Sequence, residues 1–384
     1  MVEYSNRFIY RADIERTLYK MITLLDLPNE ILTVIVSYIP INFRMSIIRY
    51  VCRRLYHICM LPEVWNKAFI RNVILNETRL AEIVSHGSRQ LHIHSSVIAP
   101  RNALVNVLRE CRDFTSLSLR GVCMFDREIK EPFPTFNTMY YMAYDNMLNF
   151  SSLIASEICS CLKNMTVLTH LDLSFNEGSL ELDDFPVMKR LKSFAFQTST
   201  DSTLRYLYKF PNLIKLNMSG SEISTLGFMA YMPKLAVLDV SSCCLVPNGL
   251  GRICESVPNI AKLNLYDVSD ISYMPSLKNL QVLKMGYSNL DILKKFPNLK
   301  HLDLLSFKHG FNTLSFMPSD LKTLKSIAFS VGKCFSMDFE FKDLCKRIAP
   351  NIGTICVHFV YNNVILPELF PNVQVIEGRH FQIW

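Results

Sequence analysis

Residues Leu168-Thr169-His170-Leu171-Asp172-Leu173 follow the pattern L-x-x-L-x-L, and similar apolar spacing recurs along the second half of the chain. Nine copies begin at residues 168, 191, 213, 235, 260, 280, 299, 324 and 352. Apolar residues two apart lie on the same side of a β-strand, so each copy places one row of side chains against its neighbours. The stacked copies therefore predict a solenoid whose strands share one core.

The repeat resembles that of leucine-rich-repeat proteins, whose units are about 20 to 29 residues long. The position three after the last Leu is Asn176 in the first copy and Cys243 in another, matching the consensus of that family, and it is mostly Ser elsewhere: Ser199, Ser221 and Ser288. The resemblance implies an α/β fold in which residues 111–384 form a leucine-rich-repeat horseshoe, a solenoid with parallel β-strands on its concave face.

Two further signals mark the repeats. The dipeptide Pro-Asn stands directly before the first apolar position five times, at Pro211, Pro258, Pro297, Pro350 and Pro371. Proline there ends the preceding helix or loop and returns the chain to the next strand. Weaker copies of the pattern occur at 114–119 and 139–144, and fragments of it at 91–93 and 373–376. They raise the expected number of repeats to about 11 to 13.

A second pattern lies near the N-terminus, in the blocks Leu24-Leu25-Asp26-Leu27-Pro28-Asn29-Glu30-Ile31-Leu32, Val51-Cys52-Arg53-Arg54-Leu55 and Leu61-Pro62-Glu63-Val64-Trp65. Apolar residues at three- and four-residue steps predict two amphipathic helices, at 28–39 and 45–59. Helices this short are marginal in water, so they need each other or a partner. The order and spacing of the blocks resemble an F-box.

These patterns predict four parts of the chain. They are an N-terminal helical extension at 1–23, an F-box-like helical module at 24–66, a helical linker or irregular first repeat at 67–110, and the repeat solenoid at 111–384. An F-box followed by leucine-rich repeats is similar to the substrate receptors of SCF-type ubiquitin ligases. The resemblance implies that the module binds a Skp-type adaptor, and through it a cullin, while the repeats bind a target protein.

The residues expected to contact the adaptor are Leu27, Pro28, Glu30, Ile31, Leu32, Ile35, Val51, Cys52, Leu55 and Trp65. Two alternatives stay open. The first is a leucine-rich-repeat scaffold or adaptor protein whose N-terminal helices only cap the first repeat. The second is a receptor for an Elongin-type cullin ligase. The docking box of such receptors has Cys four residues after a Leu, and here Leu24 is followed by Pro28.

Strand geometry indicates where a target would bind. In L-x-x-L-x-L, the residues between and beside the last two leucines point away from the core onto the concave face. The central column is polar and mildly acidic, and columns beside it add His, Lys and Tyr. The candidate substrate-binding residues are His170, Asp172, Lys215, Asn217, Asp239, Asn264, Tyr266, Lys284, His301 and Asp303.

Composition narrows the function classes. The 384 residues carry a net charge of +7 without a dense Lys/Arg run, so we expect no nucleic-acid partner. The twelve cysteines include several in apolar positions, which favours reduced thiols in a cytoplasmic or nuclear, reducing compartment. His92 and His94 lack further metal ligands nearby, and no phosphate loop or hydrolase motif is present. The sequence therefore predicts no membrane span, metal, cofactor or catalytic residue, and no enzyme activity.

Overall fold

The computed structural model describes residues 23–100, 102–124, 158–176, 180–224, 229–245, 247–251, 256–268, 271, 273–286, 290–305, 323–330, 352–358 and 374–377. The predicted N-terminal extension, apart from Thr23, and the weak repeat copy at 139–144 lie outside these residues.

The described chain forms one large parallel sheet whose strands follow each other in sequence order. The predicted parallel strands are confirmed. The thirteen strands described are β1 Lys67–Arg71, β3 Gln90–His94, β5 Ser116–Arg120, β7 His170–Asp172, β8 Ser193–Ala195, β9 Lys215–Asn217, β10 Val237–Asp239, β11 Lys262–Leu265, β12 Val282–Gly286, β13 His301–Leu305, β14 Ser326–Ser330, β15 Thr354–His358 and β16 Gln374–Glu377.

Register explains why the leucine pattern specifies this sheet. The fourth position of each repeat pairs with the fourth position of the next, as in Leu216, Leu238 and Leu263. All three side chains are fully buried, and the residues beside them on β9 and β10 are half-exposed. Each repeat thus adds one row to a common core. We call the opposite side of the sheet, which carries the alternating polar residues, the open face.

Residues 67–110, predicted as a helical linker or an irregular first repeat, contain two strand–helix units. Strands β1 and β3 join the large sheet ahead of β5, and the short strands β2 Ile74–Leu75, β4 Val97–Ile98 and β6 Cys123–Met124 form a second sheet. Helix α5 (Glu77–Ser85) follows β2 and α6 (Asn102–Arg109) follows β4. Ala68 and Ile70 take the buried positions of β1. Because they replace a leucine pair, the L-x-x-L-x-L pattern does not reveal this unit.

The N-terminal residues form a compact helical module. A short 3-10 turn, Leu24–Asp26, precedes four helical segments. They are α1 Asn29–Tyr38, α2 at 41–51 with a π-helical centre at Arg44–Ile48, α3 Arg53–Cys59 and α4 Pro62–Trp65. The continuous helix predicted at 45–59 is wrong, because Cys52 adopts an extended conformation (φ −160°, ψ 164°) between α2 and α3.

The module packs directly on the first repeat. The indole of Trp65 stacks on the imidazole of His86, with ring centroids 4.1 Å apart. The carbonyl of Asn66 accepts hydrogen bonds from the backbone N–H groups of Arg89 and Gln90. Buried apolar side chains form one cluster that runs from Leu32 in α1 to Ile352. The helices therefore cover the first edge of the solenoid core.

Further helical turns lie after several strands. They are the 3-10 segments Asp201–Lys209, Pro247–Leu250 and Leu290–Lys295. Within the described residues, none of the helices has the length and apolar character needed to span a bilayer. The described cysteines are free thiols, and one of them, Cys244, is exposed.

Candidate functional site

Arg54 joins the first and second blocks of the F-box-like pattern. Its Nε donates to the Asn29 side-chain oxygen over 2.8 Å, and its Nη2 donates to the Leu27 carbonyl over 2.6 Å. Its Nη1 donates to the carbonyl of Leu25. One guanidinium therefore fixes the segment before α1 against α3. This contact gives a physical reason for an arginine in the second block.

The third block has a structural role. Trp65 is buried, and its indole N–H donates to the carbonyl of Cys59. The Arg44 guanidinium lies 5.4 Å from the centre of the Trp65 rings and donates to the carbonyl of Val64. Burial lowers the pKa of Arg44 to about 10. Trp65, expected to contact an adaptor, instead belongs to the core of the module.

The other predicted adaptor residues divide by burial. Leu32 and Leu55 are also core residues, because their faces of α1 and α3 pack inside the module. Their side chains are not available to a partner. Leu27, Ile35 and Cys52 are half-buried, and the exposed members of the set are Pro28, Glu30, Ile31 and Val51.

The module nevertheless has a large apolar surface. Of the nineteen exposed large apolar side chains in the described residues, twelve lie in this module. We call them the module apolar surface: Leu24, Leu25, Ile31, Val34, Tyr38, Phe43, Ile47, Tyr50, Val51, Tyr56, Met60 and Leu61. On α1, Ile31, Val34 and Tyr38 are exposed opposite the buried Leu32 and Val36. A helix that is apolar on both sides signals a second contact face, and sequence reasoning missed Val34 and Tyr38.

The predicted substrate residues form columns on the open face. Through successive registers, Asp172, Asn217, Asp239, Asn264, Lys284 and Asp303 share the central column, and His170, Lys215 and His301 share the column before it. Tyr266 follows directly after β11 and is half-buried, and Asn264 is buried. The structure thus aligns the predicted residues in space.

Two of the aspartates in the central column already accept hydrogen bonds from neighbouring side chains and backbone groups. Asp172 Oδ1 accepts from the N–H and hydroxyl of Ser174, at 3.0 and 2.6 Å. Asp239 does the same with Ser241, and its other oxygen accepts from Asn264 Nδ2 over 3.0 Å. Asp and Asn side chains often cap the backbone two residues ahead in this way. For Asp172 and Asp239 we therefore infer a strand-ending role.

Asparagines missed by sequence reasoning link one repeat to the next before the strands begin. Asn212 donates to the carbonyl of Lys189 over 2.7 Å, Asn259 to that of Pro233 over 2.8 Å and Asn298 to that of Lys278 over 2.8 Å. All three follow proline in the repeated Pro-Asn dipeptide. The pattern predicts a break at the proline, and the structure shows in addition that the neighbouring asparagine links two units. We call this row the asparagine bridges.

The first strands present a second polar group on the open face. His92 Nε2 is 3.0 Å from Ser116 Oγ, and His94 Nε2 is 2.8 Å from Ser118 Oγ. Ser118 in turn donates to Asp172 Oδ2 over 3.3 Å. Burial lowers the pKa of both imidazoles, that of His92 to about 4. Within the described residues, no three His, Cys, Asp or Glu side chains are grouped to hold a metal ion.

Comparison with known proteins gives short or partial matches. No protein-family model matches the chain. Tubulin-folding cofactor E of Arabidopsis thaliana is 30% identical over 113 residues, covering 26% of this chain and 21% of that protein. The adenylate cyclase of Schizosaccharomyces pombe is 24% identical over 193 residues, covering 47% of this chain and 11% of that protein. The chain thus matches about a fifth of the first relative and a tenth of the second.

Two internalins of Listeria monocytogenes are among the similar solved structures. Internalin F is 16% identical with a TM-score of 0.41, covering 74% of this chain and 77% of that one. Internalin C2 is 16% identical with a TM-score of 0.33, covering 61% of this chain and 96% of that one. The assignment of a repeat-built parallel sheet rests on the register of the strands, and the two candidate binding surfaces are the module apolar surface and the open face.

Proposed function

We propose that this protein is a non-catalytic receptor that binds an adaptor through its helical module and a target protein through its repeats. The adaptor is of the Skp type, and the assembly is an SCF-type ubiquitin ligase. The receptor holds its target near a charged ubiquitin thioester, and such a proximity effect needs no catalytic residue in the receptor.

The observation that carries the proposal is the module apolar surface. Exposed apolar residues are common singly, but their concentration in one short part of a chain favours a protein–protein contact there. The module holds twelve of the nineteen exposed large apolar side chains, although it is only a small part of the described chain. Five of the twelve, Leu24, Leu25, Ile31, Val51 and Leu61, lie in the blocks that carry the F-box resemblance, and Arg54 holds the first two blocks together. A Skp-type adaptor is the partner that this resemblance implies.

A second candidate is a leucine-rich-repeat scaffold whose helices only cap the first repeat. The stacking of Trp65 on His86 and the shared core support a capping role. Capping uses the buried side of the module, however, and leaves Ile31, Val34 and Tyr38 exposed at 48%, 53% and 84%. A cap alone gives no reason for that second apolar face. An Elongin-type receptor would use the same face with a different adaptor.

Adaptor binding by the purified chain tests the proposal. We expect a Skp-type adaptor to co-purify with the wild-type protein, and calorimetry to show that Ile31→Ala with Val34→Ala weakens binding at least about thirtyfold. Truncating apolar anchors in the centre of an interface commonly costs about 2 kcal/mol of binding free energy or more. Because about 1.4 kcal/mol corresponds to a tenfold change in affinity, this cost corresponds to about thirtyfold.

The matched control is Ile214→Ala with Val187→Ala, which removes the same two residue types from exposed sites outside the module. It should leave binding unchanged. Absence of adaptor binding by the folded wild-type chain would contradict the ligase proposal and favour the scaffold. Capture of an Elongin-type adaptor in place of the Skp-type adaptor would support the Elongin alternative.

A further inference from the structure

Several repeats leave their strand through a left-handed turn at the same position, three residues after the centre of the strand. The residues there are Asn72, Ser95, Gly121, Phe175, Gly220, Ser242 and Asp267, with φ between 43° and 72°. Gly, Asn and Asp adopt this conformation readily, whereas a bulky residue there is an outlier. Phe175 is the bulky one among these seven. Such strained positions cluster at binding sites, where the surroundings hold them.

The surroundings of Phe175 fix both its backbone and its ring. Its N–H donates to Gln197 Oε1 over 3.0 Å, and its side chain is 50% exposed. The Arg120 guanidinium carbon lies 4.3 Å from the centre of the ring. A guanidinium stacked in this way keeps its planar N–H donors available at the edge of the ring for a carboxylate.

Arg120 is one of a row of three side chains at the ends of the first strands. Register pairs Arg71 with His94 and His94 with Arg120. Strands lie about 4.8 Å apart, so the two arginine Cα atoms are roughly 10 Å apart. Both arginines are exposed, and neither takes part in a salt bridge within the described residues. His94 is held between them by Ser118 and by the Phe69 ring, whose centroid is 5.0 Å away.

We propose that Arg71, His94, Arg120 and Phe175 form a binding site for an acidic segment of a protein, with one carboxylate on each arginine. In a polyproline-II peptide, which has three residues per turn, side chains three positions apart lie on the same face and are separated by about 9 Å, close to the spacing of the two arginines. Each guanidinium pairs with a carboxylate through two parallel N–H donors. The imidazole between them hydrogen-bonds the peptide backbone. This inference rests on the proposed role of the repeats in binding a target and specifies its chemistry.

Fluorescence anisotropy with the full-length chain tests the site. The probe is a fluorescein-labelled Ala/Ser peptide carrying two Glu residues three positions apart, and its partner probe has Gln at both positions. We expect the Glu peptide to bind at least about tenfold more tightly than the Gln peptide, with an affinity that falls as salt rises. R71Q and R120Q should each weaken binding about tenfold. F175N should weaken it several-fold, because it removes the ring that orients Arg120.

R190Q is the matched control, since Arg190 is an exposed arginine on the loop before β8. It should bind like the wild type. Equal binding of the two peptides, unchanged binding by R71Q and R120Q, or an equal loss in R190Q would overturn the site. Preference for a phosphoserine peptide with no response to the Glu peptide would overturn the carboxylate assignment.

Thermal unfolding of each variant shows whether it is folded. If R120Q does not fold, R120K takes its place in the binding assay, because lysine keeps the positive charge but lacks the planar fork of N–H donors. We expect R120K to bind more weakly than the wild type, and wild-type affinity in R120K would also overturn the site. No adaptor is present in this assay. Failure of adaptor binding therefore leaves its result unaffected, and the two proposals can fail separately.

Discussion

At the scale of single residues, the imidazole of His92 links pH to stability. Burial, together with the charges of Lys67 and His94, lowers its pKa from 6.5 to about 4. The unfolded chain therefore takes up a proton below about pH 6.5 that the folded protein takes up only near pH 4. The folded protein therefore has its full stability above about pH 6.5, and it loses the contribution of the neutral His92 ring as the pH falls towards about 4.

We expect the free energy of unfolding in urea to fall by about 2 kcal/mol over this window. A shift of one pKa unit corresponds to about 1.4 kcal/mol of stability. We expect a smaller fall than the whole shift would give, because solvent screens the charge on a partly exposed ring. His92→Gln should flatten this decline, and His57→Gln, which changes an exposed imidazole, should not. An identical pH dependence in His92→Gln and the wild type would show that this ring is not the cause.

Both the oxygen and the nitrogen of the buried Asn176 side-chain amide form hydrogen bonds. Its Nδ2 donates to the carbonyls of Leu119 and Leu173, at 2.5 and 2.9 Å, and its Oδ1 accepts from the N–H of Val122 over 2.8 Å. Asn176→Asp keeps the shape but loses both donors. We expect it to lower the free energy of unfolding by about 2 to 4 kcal/mol, because two buried carbonyls lose their partners.

Asn217→Asp provides the comparison. Asn217 uses its Oδ1 to accept from the N–H of Ser219 over 2.8 Å, and an aspartate retains that acceptor. We expect a change below about 0.5 kcal/mol in the same urea measurement. This difference explains why either Asp or Asn serves at position 217, whereas position 176 requires an amide. A large loss in Asn217→Asp would show that its Nδ2 has a role of its own.

At the scale of elements, the module depends on one side chain that connects two helices. Arg54 lies in α3 and donates to Asn29, the first residue of α1, and to the carbonyls of Leu25 and Leu27 in the segment before it. We expect Arg54→Ala to release that segment, lowering the stability of the module by about 1.5 to 3 kcal/mol, the usual loss for hydrogen bonds of a charged donor. Hydrogen exchange should rise in residues 24–38 and stay unchanged in β9 to β11.

The neighbouring Arg53→Ala is the control, because Arg53 is exposed on the same helix. It should leave hydrogen exchange as in the wild type. Equal protection of residues 24–38 in both variants would mean that the packing of Leu32 and Val36 alone holds α1 in place.

The elements themselves were predictable to different degrees. Strands β7 to β15 carry apolar residues two apart at a regular period. Because alternate side chains of a strand point to the same side, this pattern can be recognised from the local sequence alone. Strand β1 uses Ala68 and Ile70 without the preceding leucine, so its place in the sheet becomes visible only from its pairing with β3. Cys52 likewise breaks the helix predicted at 45–59 without interrupting the three- and four-residue apolar steps of the sequence. Long-range contacts of this kind leave no period in the sequence.

At the scale of the whole molecule, the helical module and the repeats are one packed body. Removing residues 1–66 would unstack Trp65 from His86 and delete the Asn66 carbonyl that accepts from Arg89 and Gln90. We expect the fragment 67–384 to lose at least about 2 kcal/mol of stability in its first repeats, since burial of one large aromatic side chain alone contributes that much. Hydrogen exchange in β1 and β3 measures the loss.

The fragment 23–384, which retains the module, is the control for this truncation and should exchange as the full chain does. If 67–384 and 23–384 show equal protection in β1 and β3, the module is an independent unit attached to a self-sufficient solenoid.

The binding surfaces were less accessible to sequence reasoning than the fold. The repeat pattern places Asp172 and Asp239 on the open face, but only the structure shows that Ser174 and Ser241 occupy these carboxylates. Similarly, the F-box resemblance selects Trp65 without distinguishing a core residue from a contact residue. Pattern identifies which side of an element a residue lies on. The partner that it meets there depends on segments far away in the sequence.

The asparagine bridges bear on how such a chain can change its length during evolution. Each bridge joins one unit to the carbonyl of the unit before it, as Asn259 does with Pro233 and Asn298 with Lys278. A duplicated unit would therefore bring its own amide and find a carbonyl already in position. A deleted unit would leave behind the same donor and acceptor facing each other. Gene duplication can thus lengthen the protein without leaving an unpaired donor or acceptor at the new junction between units.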